Sequence, residues 1–269
     1  MKIMCYGVRD YEISIFKRIE ALLNHELVLN EDYLDNSNYE SALGYETLII
    51  RGNCKISDQN LEKLHDAGLK YLLTRTAGYD HIPVEKCKEL GIKAAYAPGY
   101  SPASIAELAV ALGMSLLRDI PEAIMDSAKC DFTLNSRMFG REVRSCMVGI
   151  IGCGRIGKET AKLYKALGAR VLGTDPVQDE KMKGIIEYCS LDDLLSRADI
   201  ISIHMSYVPG VNDHIIGKEE FKKMKYGAVL INTSRGELVD TEALIESVEL
   251  GRLLRAGLDV IDDEKKVFF

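Results

Sequence analysis

The residues best placed to act together are Gly152, Cys153, Gly154, Arg155, Ile156 and Gly157, a G-x-G-x-x-G run between the apolar stretch 147–151 and a helix-period stretch. In that context the first glycine allows a tight turn, the second lets backbone approach a pyrophosphate, and the third lets the helix pack closely on the strand. The helix start adds N–H donors and the positive end of its dipole, and the Arg155 side chain adds a cation for phosphate. About 20 residues further on, at the end of the next apolar run, Asp175 can accept hydrogen bonds from ribose hydroxyls. The same carboxylate repels a 2′-phosphate, so the expected cofactor is NAD rather than NADP. A glycine-rich turn of an unrelated α/β protein is the alternative, and strand, helix and acid standing in register argue against it.

These residues need a parallel sheet to hold them. Runs at 147–151, 170–174, 199–204, 228–233 and 256–261 are separated by helix-length stretches, which predicts a βα domain with five strands. Ser190 and Asp240 are placed to cap two of its helices, and Gly251 to stop one. A shorter βα series precedes it: strands at 2–6, 47–50 and 71–74, with helices at 12–23 and 57–67. Between the two series, residues 96–102 bring two prolines and a glycine together as a linker, with Ser101 capping the next helix and Pro102 opening it. That helix, covering 104–118, is apolar around most of its circumference, which predicts burial on more than one side, between domains or against a second subunit. The expected fold class is α/β: two doubly wound, Rossmann-like domains with parallel sheets, divided into residues 1–100 and 101–269. No internal repeat or low-complexity segment competes with this division.

Composition narrows the function classes. With 269 residues, 47% of them hydrophobic, the chain can bury one large core or two smaller ones. A net charge of −7 leaves no basic face for nucleic acid or anionic membrane, so a small acidic substrate must be caught by local cations. Seven scattered cysteines without a C-x-x-C pair point to neither a disulfide framework nor a zinc site, so no metal is expected and a reducing cytoplasm fits best. The apolar stretch 105–117 contains Glu107 and is too short to span a bilayer, and the N-terminus lacks a signal-peptide pattern.

Five segments carry a family resemblance: RTAGYDHI (75–82), YSPASIAELAV (100–110), VGIIGCGRIG (148–157), INTSRGELVDTEALI (231–245) and LDVIDDE (258–264). Together they resemble the D-2-hydroxyacid dehydrogenases, along the chain from Met1 to Phe269. The resemblance implies hydride exchange between a nicotinamide and C2 of a small 2-oxo or 2-hydroxy acid. It assigns Arg235 to the substrate carboxylate and carbonyl, and Glu264 to a hydrogen bond that raises the pKa of a catalytic histidine, as an ionised carboxylate beside imidazole must. It further implies that Asp259 contacts the nicotinamide carboxamide, that His204 and Thr233 line the cofactor cleft, and that backbone N–H groups of Thr76, Ala77 and Gly78 clamp the C1 carboxylate. Tyr100 resembles a tyrosine that closes over substrate, and helix 104–118 resembles the family's homodimer interface.

There are departures. Asp263 stands where the family usually has glycine, and the chain ends at Phe269, before the family's catalytic histidine and the segment that completes its first domain. His81 and His204 are expected to be structural or cleft-lining residues rather than proton donors. The expectation is that these 269 residues bind NADH but turn over 2-oxo acids poorly. An inactive NAD-binding module is the alternative, and the retention of Arg235, Glu264 and Arg51 speaks against it.

Arg51 bears on which acid is reduced. It follows the strand 47–50, and in a doubly wound domain the carboxyl ends of strands face the ligand crevice. A fixed cation there has no use for a methyl or aliphatic side chain and suits a second carboxylate. The segment RGNC (51–54), with the opening MKIMCYGVRD and LLTRTAGYDHI, is similar to the (R)-2-hydroxyglutarate dehydrogenase branch, which acts on 2-oxoglutarate. Two alternatives stay open: a solvated arginine paired with a nearby acid such as Asp80, and a D-lactate, branched-chain or aromatic D-2-hydroxyacid dehydrogenase differing only in its pocket.

Overall fold

The computed structural model describes residues 1–262 except Tyr100, Asn135, Arg137 and Met138. The chain divides into two compact units, Met1–Tyr100 and Ser101–Phe269.

In the first unit, strands β1 (Lys2–Cys5), β2 (Glu26–Leu29), β3 (Thr47–Ile50), β4 (Tyr71–Thr74) and β5 (Lys93–Ala95) form one parallel sheet in the order β2-β1-β3-β4-β5. Alternation along β1 sends Ile3 and Cys5 to the face covered by helix α1 (Asp10–Leu23), where Phe16 packs. Met4 and Tyr6 join the opposite core with Leu48 and Ile50, under α2 (Asp58–Asp66) and α3 (Val84–Leu90). An open apolar groove of about 410 Å³, lined by Ile3, Phe16, Ile19, Leu23 and Leu27 among others, runs between α1 and the sheet. Strands β2 and β5 were not among the sequence expectations. Both are short edge strands, and β5 is exposed along its length, so neither carries the apolar run that two-sided burial imposes.

The second unit holds six parallel strands rather than the expected five: β6 (Met147–Ile151), β7 (Arg170–Thr174), β8 (Ile186–Tyr188), β9 (Ile200–Ile203), β10 (Ala228–Asn232) and β11 (Leu253–Leu258). Their order is β11-β10-β9-β6-β7-β8. The unforeseen strand, β8, is a three-residue edge strand. The last strand also begins three residues before the expected 256, because a bulge lets both Leu253 and Arg255 pair with the start of β10. Helices α4 (Pro102–Leu117) and α6 (Arg155–Ala166) pack on one face through Ala109, Val110, Ala161 and Tyr164. On the other face α7 (Leu191–Arg197), α8 (Lys218–Lys223) and α9 (Thr241–Glu249) contribute Leu194, Phe221 and Leu244.

Local signals act as expected at Ser190 and Asp240, whose side chains accept the backbone N–H of Asp193 and Ala243, and at Gly251, which takes a left-handed φ of +68° after α9. Ser101 does not cap α4: its side chain makes no capping bond, and its carbonyl instead accepts the Ser104 hydroxyl. Within its own unit α4 buries part of its circumference. Ala106, Ala109, Val110, Gly113 and Leu117 are buried, while Leu108 and Met114 stay 39% and 37% exposed. The helix α5 (Ile120–Ala128) follows with no buried residue.

Candidate active site

The second sheet reverses its winding between β6 and β9, so a crevice opens at their carboxyl ends. Gly152 sits there with φ +89°, and a Cβ on it would lie 2.5 Å from the Met205 nitrogen. A Cβ on Gly157 would lie 2.0 Å from the Gly152 carbonyl oxygen, so α6 can start this close to β6 only without a side chain. Gly154 is the opposite case: a Cβ there would meet no atom within 4 Å, and no side chain caps α6. The turn therefore offers open backbone at a helix N-terminus, where a pyrophosphate fits. Arg155 and Ile156 form the first residues of that helix, with Arg155 exposed. Asp175 is pinned to the same turn, accepting the Cys153 N–H at 2.7 Å on one oxygen and the Val177 N–H at 2.7 Å on the other. Each oxygen keeps a lone pair for a ribose hydroxyl.

At the ends of β9 and β10 the site changes character. His204 shares a 2.8 Å hydrogen bond with Ser202, and burial pushes its pKa down to about 4, leaving a neutral imidazole that is unsuited to donating a proton near neutral pH. The Thr233 hydroxyl is buried with no hydrogen-bond partner among the described residues. Such an orphan costs about 1–3 kcal/mol, which a polar group of a bound nucleotide could relieve. Glycine cradle, ribose acid and orphan hydroxyl thus fit a dinucleotide. Arg235 is half-buried, its carbonyl accepting Asn232 Nδ2 at 2.8 Å and its Nη1 donating to the Ser234 carbonyl at 2.8 Å. Asp259 is brought alongside by the bond from its N–H to the Asn232 carbonyl at 3.0 Å. Asn232 therefore braces both segments, and its place three residues before Arg235 in the run Asn232-Thr233-Ser234-Arg235-Gly236 is the signal in the sequence for that role. Glu264 lies outside the described residues.

In the first unit Arg51 stands at the reversal between β1 and β3, its Cδ 3.3 Å from where a Cβ on Gly7 would stand. The loop it opens approaches the next one, since a Cβ on Gly52 would lie 3.9 Å from the Thr76 methyl. Thr74, Thr76 and His81 brace the Thr76-Ala77-Gly78 loop: His81 Nε2 meets Thr74 Oγ1 at 2.9 Å, and Thr76 Oγ1 donates to the Gly78 carbonyl at 2.6 Å. An acid does stand near Arg51, but it is Glu12, 3.9 Å away and beyond hydrogen-bond reach. Glu12 is already engaged by the Arg9 N–H and the Arg75 guanidinium. Burial works against its charge, yet these contacts with Arg9, Arg75 and Arg51 hold its pKa below the ordinary value. Arg75 in turn donates to the carbonyls of Tyr6 and Gly7. Neither Glu12 nor Arg75 was foreseen, because only the fold brings α1 over the ends of β1 and β4. Tyr100 lies outside the described residues.

A family model for the NAD-binding domain of D-isomer specific 2-hydroxyacid dehydrogenases matches residues 110–267. The aromatic 2-oxoacid reductase of Clostridium sporogenes is 41% identical over 269 residues, covering 100% of this chain and 81% of the relative. A D-2-hydroxyacid dehydrogenase (NAD(+)) of Clostridioides difficile is 39% identical, covering 98% of this chain and 80% of the relative. The chain belongs to the D-isomer specific 2-hydroxyacid dehydrogenase family.

The dehydrogenase fold agrees: D-lactate dehydrogenase from Aquifex aeolicus, solved with NAD and lactic acid, matches with a TM-score of 0.90 at 33% identity, over 98% of this chain and 78% of that one. The enzyme is an NAD-dependent oxidoreductase acting on 2-hydroxy or 2-oxo acids. Among the described residues no cluster of side chains could hold a metal ion, and no helix is long and apolar enough to cross a membrane. The named relatives differ in the acid they act on, so membership fixes the reaction and leaves the tail of the substrate to this chain's own pocket residues.

Proposed function

We propose that the dehydrogenase reduces 2-oxoglutarate to (R)-2-hydroxyglutarate and that Arg51 selects this substrate through its distal carboxylate. The position of Arg51 carries the proposal: it occupies the switch point of the first sheet, where ligands of doubly wound folds bind. Its neighbour Arg75 is committed to Glu12 and two backbone carbonyls, whereas the Arg51 guanidinium reaches Glu12 only at 3.9 Å and its side chain stays 32% exposed. A guanidinium can meet a carboxylate with two parallel hydrogen bonds.

The remaining roles follow the chemistry of each group. Backbone N–H groups at Ala77 and Gly78 receive the C1 carboxylate, and Tyr100 covers the substrate. Gly152, Gly154, Arg155, Ile156 and Gly157 hold the pyrophosphate and Asp175 the ribose, while His204, Thr233 and Asp259 meet the nicotinamide end. Bound NADH supplies the hydride for C2. Arg235 binds the 2-oxo acid group and stabilises charge growing on the carbonyl oxygen. Glu264 supports the group that protonates that oxygen. Two copies pair through α4, whose outer side presents Leu108 and Met114, and the chain works in the cytoplasm, where its seven unpaired cysteines, five of them buried, stay reduced. Sedimentation should show a dimer, and a monomer at micromolar concentration would remove that part.

A second substrate class, aromatic 2-oxo acids, is favoured by the 41% identical reductase of Clostridium sporogenes. Arg51→Leu separates the two. Loss of a charged hydrogen bond of about 1.5–3 kcal/mol should lower kcat/KM for 2-oxoglutarate roughly 10- to 200-fold. Activity on phenylpyruvate should hold or rise. An equal fall on both substrates would show that Arg51 does not choose between them.

A further inference from the structure

His214 lies in the loop between β9 and α8, outside every motif of the sequence. Its backbone is left-handed, with φ 48°, unusual for a residue with a side chain. The loop leading to it is braced: Val208 N–H donates to Asn212 Oδ1 at 2.7 Å, Asn212 Nδ2 to the Ser206 carbonyl at 2.8 Å, and Gly210 N–H to Asp213 at 2.6 Å. From this base the His214 N–H reaches the Glu237 carbonyl at 2.8 Å, and Ile216 bridges in parallel to Val239. The segment 214–216 is thereby stitched to the chain directly after Arg235.

The imidazole continues the stitching to a third segment, with Nε2 2.8 Å from Asp262 Oδ2. Asp262 ends the described chain after β11, three residues past Asp259 and two before Glu264 in sequence. Gly236 backs onto the same place, since a Cβ there would lie 2.0 Å from the Ile261 carbonyl group. Backbone contact at Gly236 thus fixes how closely the segment approaches, and the His214–Asp262 pair fixes where it lies along that contact. The side chains of His214 and Asp262 are 46% and 28% exposed, and ion pairs so placed contribute little to folding. An uncommon backbone conformation that presents a weakly stabilising contact points to a use other than stability.

We propose that His214 is a positioning residue of the dehydrogenase reaction, acting through Asp262 to hold the segment that carries Asp259 beside the segment that carries Arg235. This rests on the roles proposed above for Arg235 and Asp259. A hydrogen bond with His214 as donor is what the position requires, so glutamine, which keeps a donor, substitutes better than alanine.

The test is a double-mutant cycle in the full-length enzyme, reading kcat and KM for the 2-oxo acid together with Tm. His214→Ala and Asp262→Ala should each lower kcat about 10-fold, less than the roughly 100-fold that a 1 Å misplacement can cost. The double variant should be no slower than either single one, Tm should hold, and His214→Gln should recover most of the loss. Losses that multiply, or a fall in Tm that tracks the fall in kcat and is not rescued by glutamine, would overturn the proposal. If His214→Ala does not fold, Asp262→Ala against His214→Gln reads the same contact. Arg235→Leu is measured alongside: if it spares kcat/KM, the parent assignment fails, and if it collapses kcat/KM while His214→Ala is silent, only the positioning role fails.

Discussion

The two sheets build their crevices by opposite means. At the β6/β9 reversal the wall is backbone: three glycines, an uncapped helix start and one carboxylate tied to the turn. At the β1/β3 reversal the wall is side chain, a cluster of Arg51, Arg75 and Glu12 around Gly7. The difference tracks what each must recognise. A pyrophosphate is common to every NAD-dependent enzyme and can be met by fixed N–H groups that leave little room for substitution. A substrate tail varies between relatives, and a side chain at the end of a strand can be exchanged without disturbing the ladder behind it.

If that contrast holds, the backbone crevice should be the less tolerant. Gly157→Ala puts a Cβ 2.0 Å from the Gly152 carbonyl oxygen, so either α6 or the turn must move. NADH affinity should fall about 100-fold, on the scale of 1–3 kcal/mol for overpacking. Arg51→Leu should leave NADH affinity unchanged, and fluorescence titration of both variants checks the pair. A Gly157→Ala enzyme that binds NADH normally would erase the distinction.

Asp175→Ala removes a charged side chain that the backbone crevice ties to its turn. NADH affinity should fall about 10-fold, the worth of a charged hydrogen bond near 1.5 kcal/mol, and the preference over NADPH should narrow. Unchanged selectivity in parallel titrations would place Asp175 outside the ribose site.

His204 separates the two crevices on a different axis, stability against pH. Its folded value of about 4 lies below the ordinary 6.5, so between those values the unfolded chain takes up a proton that the folded one refuses. Stability due to this residue is therefore full above pH 6.5 and declines as the pH falls toward 4. His204→Gln should flatten the fall in Tm between pH 7 and pH 5 by on the order of a few degrees. Identical acid profiles would mean that His204 is hydrated in solution. His214 runs the other way: its bond to Asp262 raises its pKa, so the small stabilisation it brings is complete below 6.5 and fades as the pH rises through the raised value.

The same contrast governs what the sequence discloses. Gly152 and Gly157 were legible because backbone geometry admits so few residues there, and β3, β4, β6 and β7 were legible at their observed bounds because their centres are buried and apolar. Edge strands β2, β5 and β8 left no such trace. Arg51 could be placed at a strand end, but its neighbours Glu12 and Arg75 are 39 and 24 residues away in sequence and meet it only in the fold. Asn232 and His214 act through hydrogen bonds to segments remote in sequence, a relation with no periodicity to betray it. Ser101 shows the converse, where a recognisable local pattern gave a cap that is not made.

The account turns on the side-chain crevice choosing a substrate with two carboxylates. The direct measurement is kcat/KM of the full-length enzyme for 2-oxoglutarate, phenylpyruvate and pyruvate, followed by NADH oxidation, with chiral analysis of each product. 2-Oxoglutarate should lead by at least about 10-fold, the least that one charged hydrogen bond supplies, and its product should be the (R)-2-hydroxy acid. A lead for phenylpyruvate or pyruvate would contradict the assignment of Arg51 and return this dehydrogenase to the substrates of its named relatives.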